Sequence, residues 1–150
     1  MTNGENPIKR YSEPWTEKQL LHLLKRTLFG ISHADYVFFK DKSMEECIET
    51  LLRNIRVPPP PVFQDKDDPA TPAEASFVFF PENKKRNEDW TVALKAYWVG
   101  LMINSQRSIT EKMVLFWHNH FVIEFNTVSD ARYEYNYITR LYTMWKTPLT

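Results

Sequence analysis

The sequence predicts an all-α protein of about six helices, with one long Pro-rich loop and at most a minor short strand. Serine or threonine is repeatedly followed, three residues later, by Glu, Gln or Asp at the start of an apolar pattern. This spacing is typical of helix N-termini. Residues 90–104 and 108–125 form long apolar runs, whose length favours buried helices. Residues 77–80 alone resemble a strand, and one short strand cannot form a stable sheet.

Residues 15–56 are predicted to form a small subdomain of three capped helices. Gly30 is the expected C-terminal stop of the first helix, because glycine readily adopts the left-handed conformation that ends many helices. Trp15 and Leu20 occupy the positions of a hydrophobic staple. The predicted N-terminal capping pairs are Thr16 with Gln19, Ser32 with Asp35, and Ser43 with Glu46.

Residues 108–125 contain two of the four histidines and are predicted to form the central helix. Ser108 and Glu111 have the spacing of a further capping box. The residues that follow are apolar nearly all round, and such a helix is normally buried on most sides. The preceding helix, residues 90–104, is predicted to be its antiparallel neighbour because about three residues join the two.

The string His118-Asn119-His120 is not expected to be an HNH nuclease motif, because that motif is spread over a ββα finger and no hairpin is evident here. It is also a poor two-histidine metal clamp. Positions i and i+2 lie about 200° apart on a regular α-helix, so both rings cannot reach one ion. In a strand they would share a face, but the capping box and the length of the run favour a helix.

His120 and Glu124 are four residues apart and would share a helix face. Such a pair could supply two metal ligands, or a base with its orienting carboxylate. The alternative is a half-buried histidine hydrogen-bonded to a carboxylate, since a metal site would need a third ligand that the sequence does not place. His118 is predicted to be a structural hydrogen-bonding residue in the core, with a catalytic or ligand role as the alternative.

His22 and Arg26 are candidate binding residues, four apart on the more polar side of the first helix. They could receive an anion or a partner's carboxylate, or they could face solvent or form a structural salt bridge. Asn119 is a further candidate binding residue.

Composition excludes several classes of protein. Lys and Arg number 19, as do Asp and Glu, so no global basic field attracts nucleic acid. The chain has 3 glycines and no Gly-rich phosphate-binding motif. Cys47 is the single cysteine, so no internal disulfide can form. Cys47 shares a predicted helix face with apolar residues and is expected to be a buried thiol rather than a nucleophile. Those neighbours are Met44, Ile48, Leu51 and Leu52.

Residues 57–89 are predicted to form a Pro-rich and charged connecting loop, beginning with polyproline at 58–61. Residues 1–14 are predicted to be a polar N-terminal arm. Residues 90–150 are predicted to form a helical core that continues beyond residue 150. In its last helix, from 130 to about 146, Ser129 is the expected cap. The expected packing stripe is Tyr133, Tyr137, Leu141 and Met144, with Arg132, Glu134 and Arg140 on other faces.

Several segments resemble the bacterial DUF1800 family of uncharacterised proteins. They are PWTEKQLLHLLKRTLFG at 14–30, SHAD at 32–35, RSITEKMVLFWHNHF at 107–121 and DARYEY at 130–135. The resemblance implies a longer, mainly helical chain of which this sequence is an N-terminal portion, and it brings no established reaction. Many relatives look exported. No signal peptide or membrane span is visible here, so a cytoplasmic location is the default expectation.

Two functions follow from these observations. The first is a binding or scaffold module of a larger chain, whose partner is the remainder of that chain or another protein. The alternative is a metal-dependent hydrolase around His120 and Glu124, with His118, His22 or Arg26 brought in by folding. A divalent metal is the one possible cofactor, and it would activate water or polarise an oxygen.

Overall fold

Six α-helices and one short 3-10 helix make up the described part of the chain. The computed structural model describes residues 11–53, 56–63, 75–123, 128 and 130–146. The α-helices are α1 (Glu17–Thr27), α2 (His33–Phe39), α3 (Met44–Arg53), α4 (Asn87–Ile103), α5 (Thr110–His120) and α6 (Ala131–Lys146). Phe77–Phe79 is the 3-10 helix, and no β-strand occurs within these ranges. The all-α prediction is confirmed.

Two predicted capping boxes are present. The Asp35 backbone N–H donates to the Ser32 hydroxyl at 3.1 Å, and the Ser32 N–H donates to the Asp35 carboxylate at 3.1 Å. Ser43 and Glu46 make the equivalent pair at 3.2 and 2.8 Å. Each box satisfies two helix-end N–H groups that have no partner inside the helix.

The ends of α1 differ from the prediction. The Thr16 hydroxyl caps no backbone N–H and instead contacts the Gln19 side-chain amide. The helix ends at Thr27, and Leu28 then takes an extended conformation. Gly30 does not have a positive φ, so the predicted glycine stop is wrong. Because the backbone becomes extended directly after the helix, no residue in the left-handed conformation is needed to end α1.

The first hydrophobic cluster joins α1, α2 and α3. Its buried members are Leu20, Leu24, Leu28, Phe39, Cys47 and Leu51, with Trp15, Leu23 and Ile31 packed against them. Cys47 is buried as predicted, and burial raises the pKa of its thiol. Ile48 and Leu52, expected on the same buried face, are exposed instead.

The predicted strand at residues 77–80 is wrong, because Phe77–Phe79 form a 3-10 helix. The Val78 backbone N–H donates to the Ser76 hydroxyl at 3.4 Å, and the Phe80 N–H closes the turn on the Phe77 carbonyl. The turn places the Phe77 ring in the core, stacked on Trp90 at a centroid distance of 5.7 Å.

The second hydrophobic cluster lies between α4, α5, α6 and the 3-10 helix. Its buried members are Phe77, Trp90, Leu94, Trp98, Val114, Ala131, Tyr135, Ile138, Leu141 and Tyr142. Helix α4 begins at Asn87, three residues before the predicted start. The Asn87 side chain accepts a 2.8 Å hydrogen bond from the Ala131 N–H, so it ties the first turn of α4 to the start of α6.

Helix α5 is shorter and less buried than predicted. It runs from Thr110 to His120, and only its Thr110, Glu111 and Val114 side are buried among the described residues. The predicted Ser108–Glu111 capping box is wrong. The Ser108 hydroxyl accepts from the Thr110 N–H at 3.2 Å, whereas the Glu111 side chain turns into the core. Residues 124–125, the predicted end of the helix, lie outside the described residues.

Helix α6 buries a different face from the predicted one. Tyr133 and Met144 are exposed, and Tyr137 is partly buried. The buried residues are Ala131, Glu134, Tyr135, Ile138, Leu141 and Tyr142. The interpretation therefore misplaced Glu134, which was expected on another face. Ser129, the expected cap, lies outside the described residues.

Arg107, in the turn before α5, contacts helix α2. Its guanidinium donates a 2.8 Å hydrogen bond to the Asp35 carboxylate and lies 4.1 Å from the centroid of the Phe38 ring. Its backbone φ is 51°, a left-handed value that is uncommon for a residue other than glycine. Nearby, the Ile109 N–H donates to the Leu51 carbonyl at 3.1 Å. These contacts position the start of α5 against α2 and α3.

The described helices include none with both the length and the apolar character required to cross a membrane. The division into an arm, a subdomain, a loop and a core stays a prediction.

Candidate functional site

The two histidines of the central motif lie in different environments. His118 is partly buried, with its ring 4.9 Å from Trp98 and 5.9 Å from Tyr137, measured between centroids. Burial lowers the pKa of His118, and its hydrogen bond with Asn119 opposes that shift only in part. The ring is therefore neutral at neutral pH, as expected for a structural histidine.

His120 and Asn119 are exposed. The His120 ring stacks on Phe116 at 6.4 Å with 5° between the ring planes, and it meets Trp117 and Phe121 edge-on at 5.8 and 4.8 Å. The end of α5 is thus an aromatic surface. The helix directs His118 inward and His120 outward, so the two do not form a clamp.

The described residues do not support a metal site. Nowhere in the described ranges do three or more His, Cys, Asp or Glu side chains come together in a way that could hold an ion. Glu124, the proposed second ligand, lies outside those ranges. The metal-dependent hydrolase hypothesis therefore finds no support in the geometry.

His22 and Arg26 lie together on the wall of an open cavity of about 730 Å³. Both are exposed residues of α1. Apolar side chains from α1, α3 and the segment before α1 form much of the wall. Ile48 is one of them, and it is exposed because it faces this open cavity. The lining residues are Tyr11, Glu13, Trp15, Lys18, Gln19, Leu21, His22, Leu23, Lys25, Arg26, Met44 and Ile48.

A second cavity, of about 400 Å³, lies between α1 and α5. Its lining residues are Lys25, Arg26, Ile109, Lys112, Met113 and Phe116. It shares Lys25 and Arg26 with the first cavity, so the two adjoin. We call the two cavities together the α1–α5 surface. Both volumes lie in the range of about 300–1,000 Å³ that is usual for ligand pockets.

Two buried glutamates were missed by sequence reasoning. The Tyr142 hydroxyl donates a 2.6 Å hydrogen bond to the Glu111 carboxyl group. Burial raises the pKa of Glu111, while the hydrogen bond from Tyr142 and the nearby Trp98 indole act in the opposite direction. Burial also raises the pKa of Tyr142. Burial thus makes ionisation of the Glu111 carboxyl group inside the α5–α6 interface harder than in water.

Glu134 is completely buried, with 0% of its surface exposed. Neither carboxyl oxygen makes a hydrogen bond of good geometry within the described residues. Burial raises its pKa, although the charge of Lys95 and the nearby Thr91 side chain act against this shift. The burial of Glu134 could have been predicted from the sequence, because Ile138 and Leu141 follow it at i+4 and i+7 on one helix face.

The two buried glutamates lie away from the α1–α5 surface. Glu111 and Glu134, whose pKa values burial raises, line neither of the two cavities. Helices α1 and α5 instead combine cations with apolar side chains there. Such a surface can hold a partner through both charge and apolar contact, and His22 on the wall of the larger cavity is a group capable of acid–base chemistry.

Comparison with known families adds one match. The family model described as protein of unknown function DUF1800 matches residues 22–143, which is well over half of the chain. The chain belongs to the DUF1800 family. The matched residues include His22, Arg26, α5 and nearly all of α6, so the family resemblance seen in the sequence is confirmed. No curated protein and no solved structure matches the chain.

Proposed function

We propose that this DUF1800 chain is a helical binding module, and that its α1–α5 surface recognises an acidic, partly apolar segment of a protein partner. One observation carries the proposal: two adjoining cavities share Lys25 and Arg26 and combine positive charge with apolar walls.

The apolar walls fit an amphipathic helix of the partner. Trp15, Leu21 and Ile48 line the larger cavity, and Met113 and Phe116 line the smaller one. Recognition of an amphipathic helix in a groove relies on apolar anchors spaced about one helical turn apart. The larger cavity has room for side chains of this kind.

The charges select an acidic partner. The residues that line the two cavities include four Lys or Arg (Lys18, Lys25, Arg26 and Lys112) and one Glu (Glu13). The whole chain carries no net charge, so this excess of cations is local. Local positive charge speeds encounter with an acidic partner and disfavours basic ones.

The proposal is tested with three fluorescent peptides of equal length and different composition. One combines Glu with Leu at helical spacing, one combines Lys with Leu, and one combines Glu with Ser. Fluorescence anisotropy should show the tightest binding for the Glu–Leu peptide, weakening as salt screens the charges. The double variant R26E/K112E should lose about tenfold or more in affinity, which corresponds to about 1.4 kcal/mol.

Lys84→Glu is the matched control, because Lys84 is an exposed cation that lines neither cavity of the α1–α5 surface. Its affinity should equal that of the unaltered chain. Equal binding of the Glu–Leu and Lys–Leu peptides, or an unchanged affinity in R26E/K112E, would contradict the proposal.

A further inference from the structure

The described helices divide into two units with separate cores. Helices α1, α2 and α3 surround the first hydrophobic cluster, whereas α4, α5, α6 and the 3-10 helix surround the second. No described residue belongs to both clusters. We call these two sets of helices the first unit and the second unit. Each unit therefore buries its own apolar side chains and does not share a core with the other.

Charged side chains make the contacts that join the two units. The Arg107 guanidinium, from the turn before α5, donates to the Asp35 carboxylate of α2 at 2.8 Å and lies over the Phe38 ring. On α5, the Lys112 ammonium lies 5.1 Å from the centroid of the Phe29 ring, which follows α1. Ion pairing and cation–π contact, rather than a shared apolar core, thus hold the described units against each other.

The Arg107–Asp35 ion pair is open to competition from water, because the two side chains are 35% and 22% exposed. Arg107 also has a φ of 51°, and a left-handed backbone costs free energy for a residue other than glycine. One backbone hydrogen bond, from the Ile109 N–H to the Leu51 carbonyl, lies beside the pair. When two units share no large apolar interface, relative motion is the default expectation.

The smaller cavity of the α1–α5 surface lies across this junction. The first unit supplies Lys25 and Arg26 to its wall, and the second unit supplies the lining residues between Ile109 and Phe116. The larger cavity is lined only by residues of the first unit and of the segment before α1. Separation of the units would therefore take the smaller cavity apart and leave the larger one whole.

We propose that Arg107 and Asp35 form a releasable latch between the two units, and that the latch controls whether the smaller cavity is assembled. In the docked state the α1–α5 surface is continuous, and only that state presents both cavities to a partner at once. The effect on partner binding rests on the proposed function, whereas the latch itself does not.

Partner binding and docking of the units are linked in this arrangement. A segment that fills both cavities contacts α1 and α5 together, so it binds the docked state more tightly than the released state. Reciprocity requires that the same segment also favours docking. A weaker latch lowers the fraction of docked chains, and the apparent affinity for the partner falls in proportion to that fraction.

Spin labels measure docking without any partner. The labels are attached to Glu49→Cys on α3 and Asn119→Cys on α5, two exposed positions of the full chain, while Cys47 is buried and is not labelled. Double electron–electron resonance should give a narrow distance distribution when the latch is intact. Asp35→Asn removes the charge but keeps an oxygen for the Ser32 cap, and it should broaden the distribution towards longer distances.

Ser32→Ala is the matched control, because it removes the capping box and leaves Arg107 its carboxylate partner. Its distance distribution should equal that of the unaltered chain. Arg107→Asn breaks the latch from the other side, and asparagine tolerates the left-handed conformation. Circular dichroism checks that each variant keeps its helix content. Distributions in Asp35→Asn and Arg107→Asn as narrow as in the unaltered chain would overturn the proposal, since the units would then stay docked without the latch.

The Glu–Leu peptide tests the control of the smaller cavity. Its affinity should fall by about threefold or more in Asp35→Asn and should not change in Ser32→Ala. Saturating peptide should also narrow the distance distribution of Asp35→Asn again. A broadened distribution with an unchanged peptide affinity would contradict the control of the cavity. If the unaltered chain does not bind the peptide, the proposed function fails, and the distances between the labels on α3 and α5 still decide whether the latch holds the cavity walls together.

Discussion

The Tyr142 hydroxyl donates a 2.6 Å hydrogen bond to the Glu111 carboxyl group, joining α5 to α6 inside the second hydrophobic cluster. Both residues are buried, so neither can exchange this bond for one to bulk water without opening the interface. The hydrogen bond therefore connects the two helices. Removing either partner would leave the other buried without this hydrogen bond.

Tyr142→Phe should lower the free energy of unfolding by about 1–3 kcal/mol, because it leaves the Glu111 carboxyl group buried without its donor. Urea denaturation followed by circular dichroism measures the change. Tyr133→Phe serves as the control, since Tyr133 is exposed on the same helix and should have little effect. Equal losses in the two variants would show that the buried hydrogen bond does not stabilise the fold.

Glu134→Gln should change how stability depends on pH. The folded-state pKa of Glu134 is raised above its ordinary value of 4.5, so the native state retains a proton that the unfolded state releases. Stability therefore decreases as the pH rises above about 4.5, until the folded-state pKa is passed.

Glutamine cannot ionise, so the stability of Glu134→Gln relative to the unaltered chain should increase across that pH interval. Thermal unfolding at a series of pH values measures it. Glu88→Gln is the control at an exposed glutamate of α4. A stability difference that stays constant with pH would contradict the raised pKa of Glu134.

Asp35→Ala should destabilise the fold more than Ser32→Ala. Both variants lose the capping box, which is worth about 1 kcal/mol. Only Asp35→Ala also loses the 2.8 Å hydrogen bond from Arg107. The extra loss, measured by urea denaturation, is the contribution of Arg107. If the two variants were equally stable, the contact with Arg107 would contribute nothing measurable.

The stability contributed by the Asp35 carboxylate should depend on pH. Burial acts to raise the pKa of Asp35, but hydrogen bonds from Ser32 and Arg107 outweigh it, so the pKa lies below its ordinary value of 3.8. The stabilisation from Asp35 is therefore present above pH 3.8 and is lost as the pH falls through the folded-state pKa. The difference between Asp35→Ala and the unaltered chain should shrink when unfolding is measured at progressively lower pH.

His118 should titrate below the ordinary histidine pKa of 6.5 because it is partly buried against Trp98. Proton–carbon correlation NMR of the ring resonances measures the midpoint, and His118→Gln assigns the signal. Stability contributed by the neutral ring should be lost as the pH falls below 6.5. A midpoint at or above 6.5 would place His118 in solvent or beside an unrecognised acid.

Local patterns predicted much of the fold, and non-local contacts account for the main errors. The Ser32 and Ser43 caps were predictable because each box is complete within four residues. Glu111 has the same spacing from Ser108, yet it bonds to Tyr142, 31 residues away. No pattern around Ser108 contains that information.

The candidate site was predictable only in part. The spacing of His22 and Arg26 placed them on one side of α1, and they do line one cavity. Lys112 and Phe116 complete the neighbouring cavity from α5, and their approach depends on how the two helices pack. The roles of these residues, like those of Asn119 and His120, stay predictions.

The Arg107–Asp35 contact also bears on the order of folding. The two residues are 72 positions apart, whereas the contacts among α1, α2 and α3 close short loops. Short loops close at lower entropic cost, so these three helices can assemble early. Joining Arg107 to Asp35 closes a loop of 72 residues at a higher entropic cost, so we expect this contact to form late. A contact that is absent from the folding transition state changes mainly the unfolding rate. The Arg107–Asp35 contact should therefore slow unfolding far more than it speeds folding.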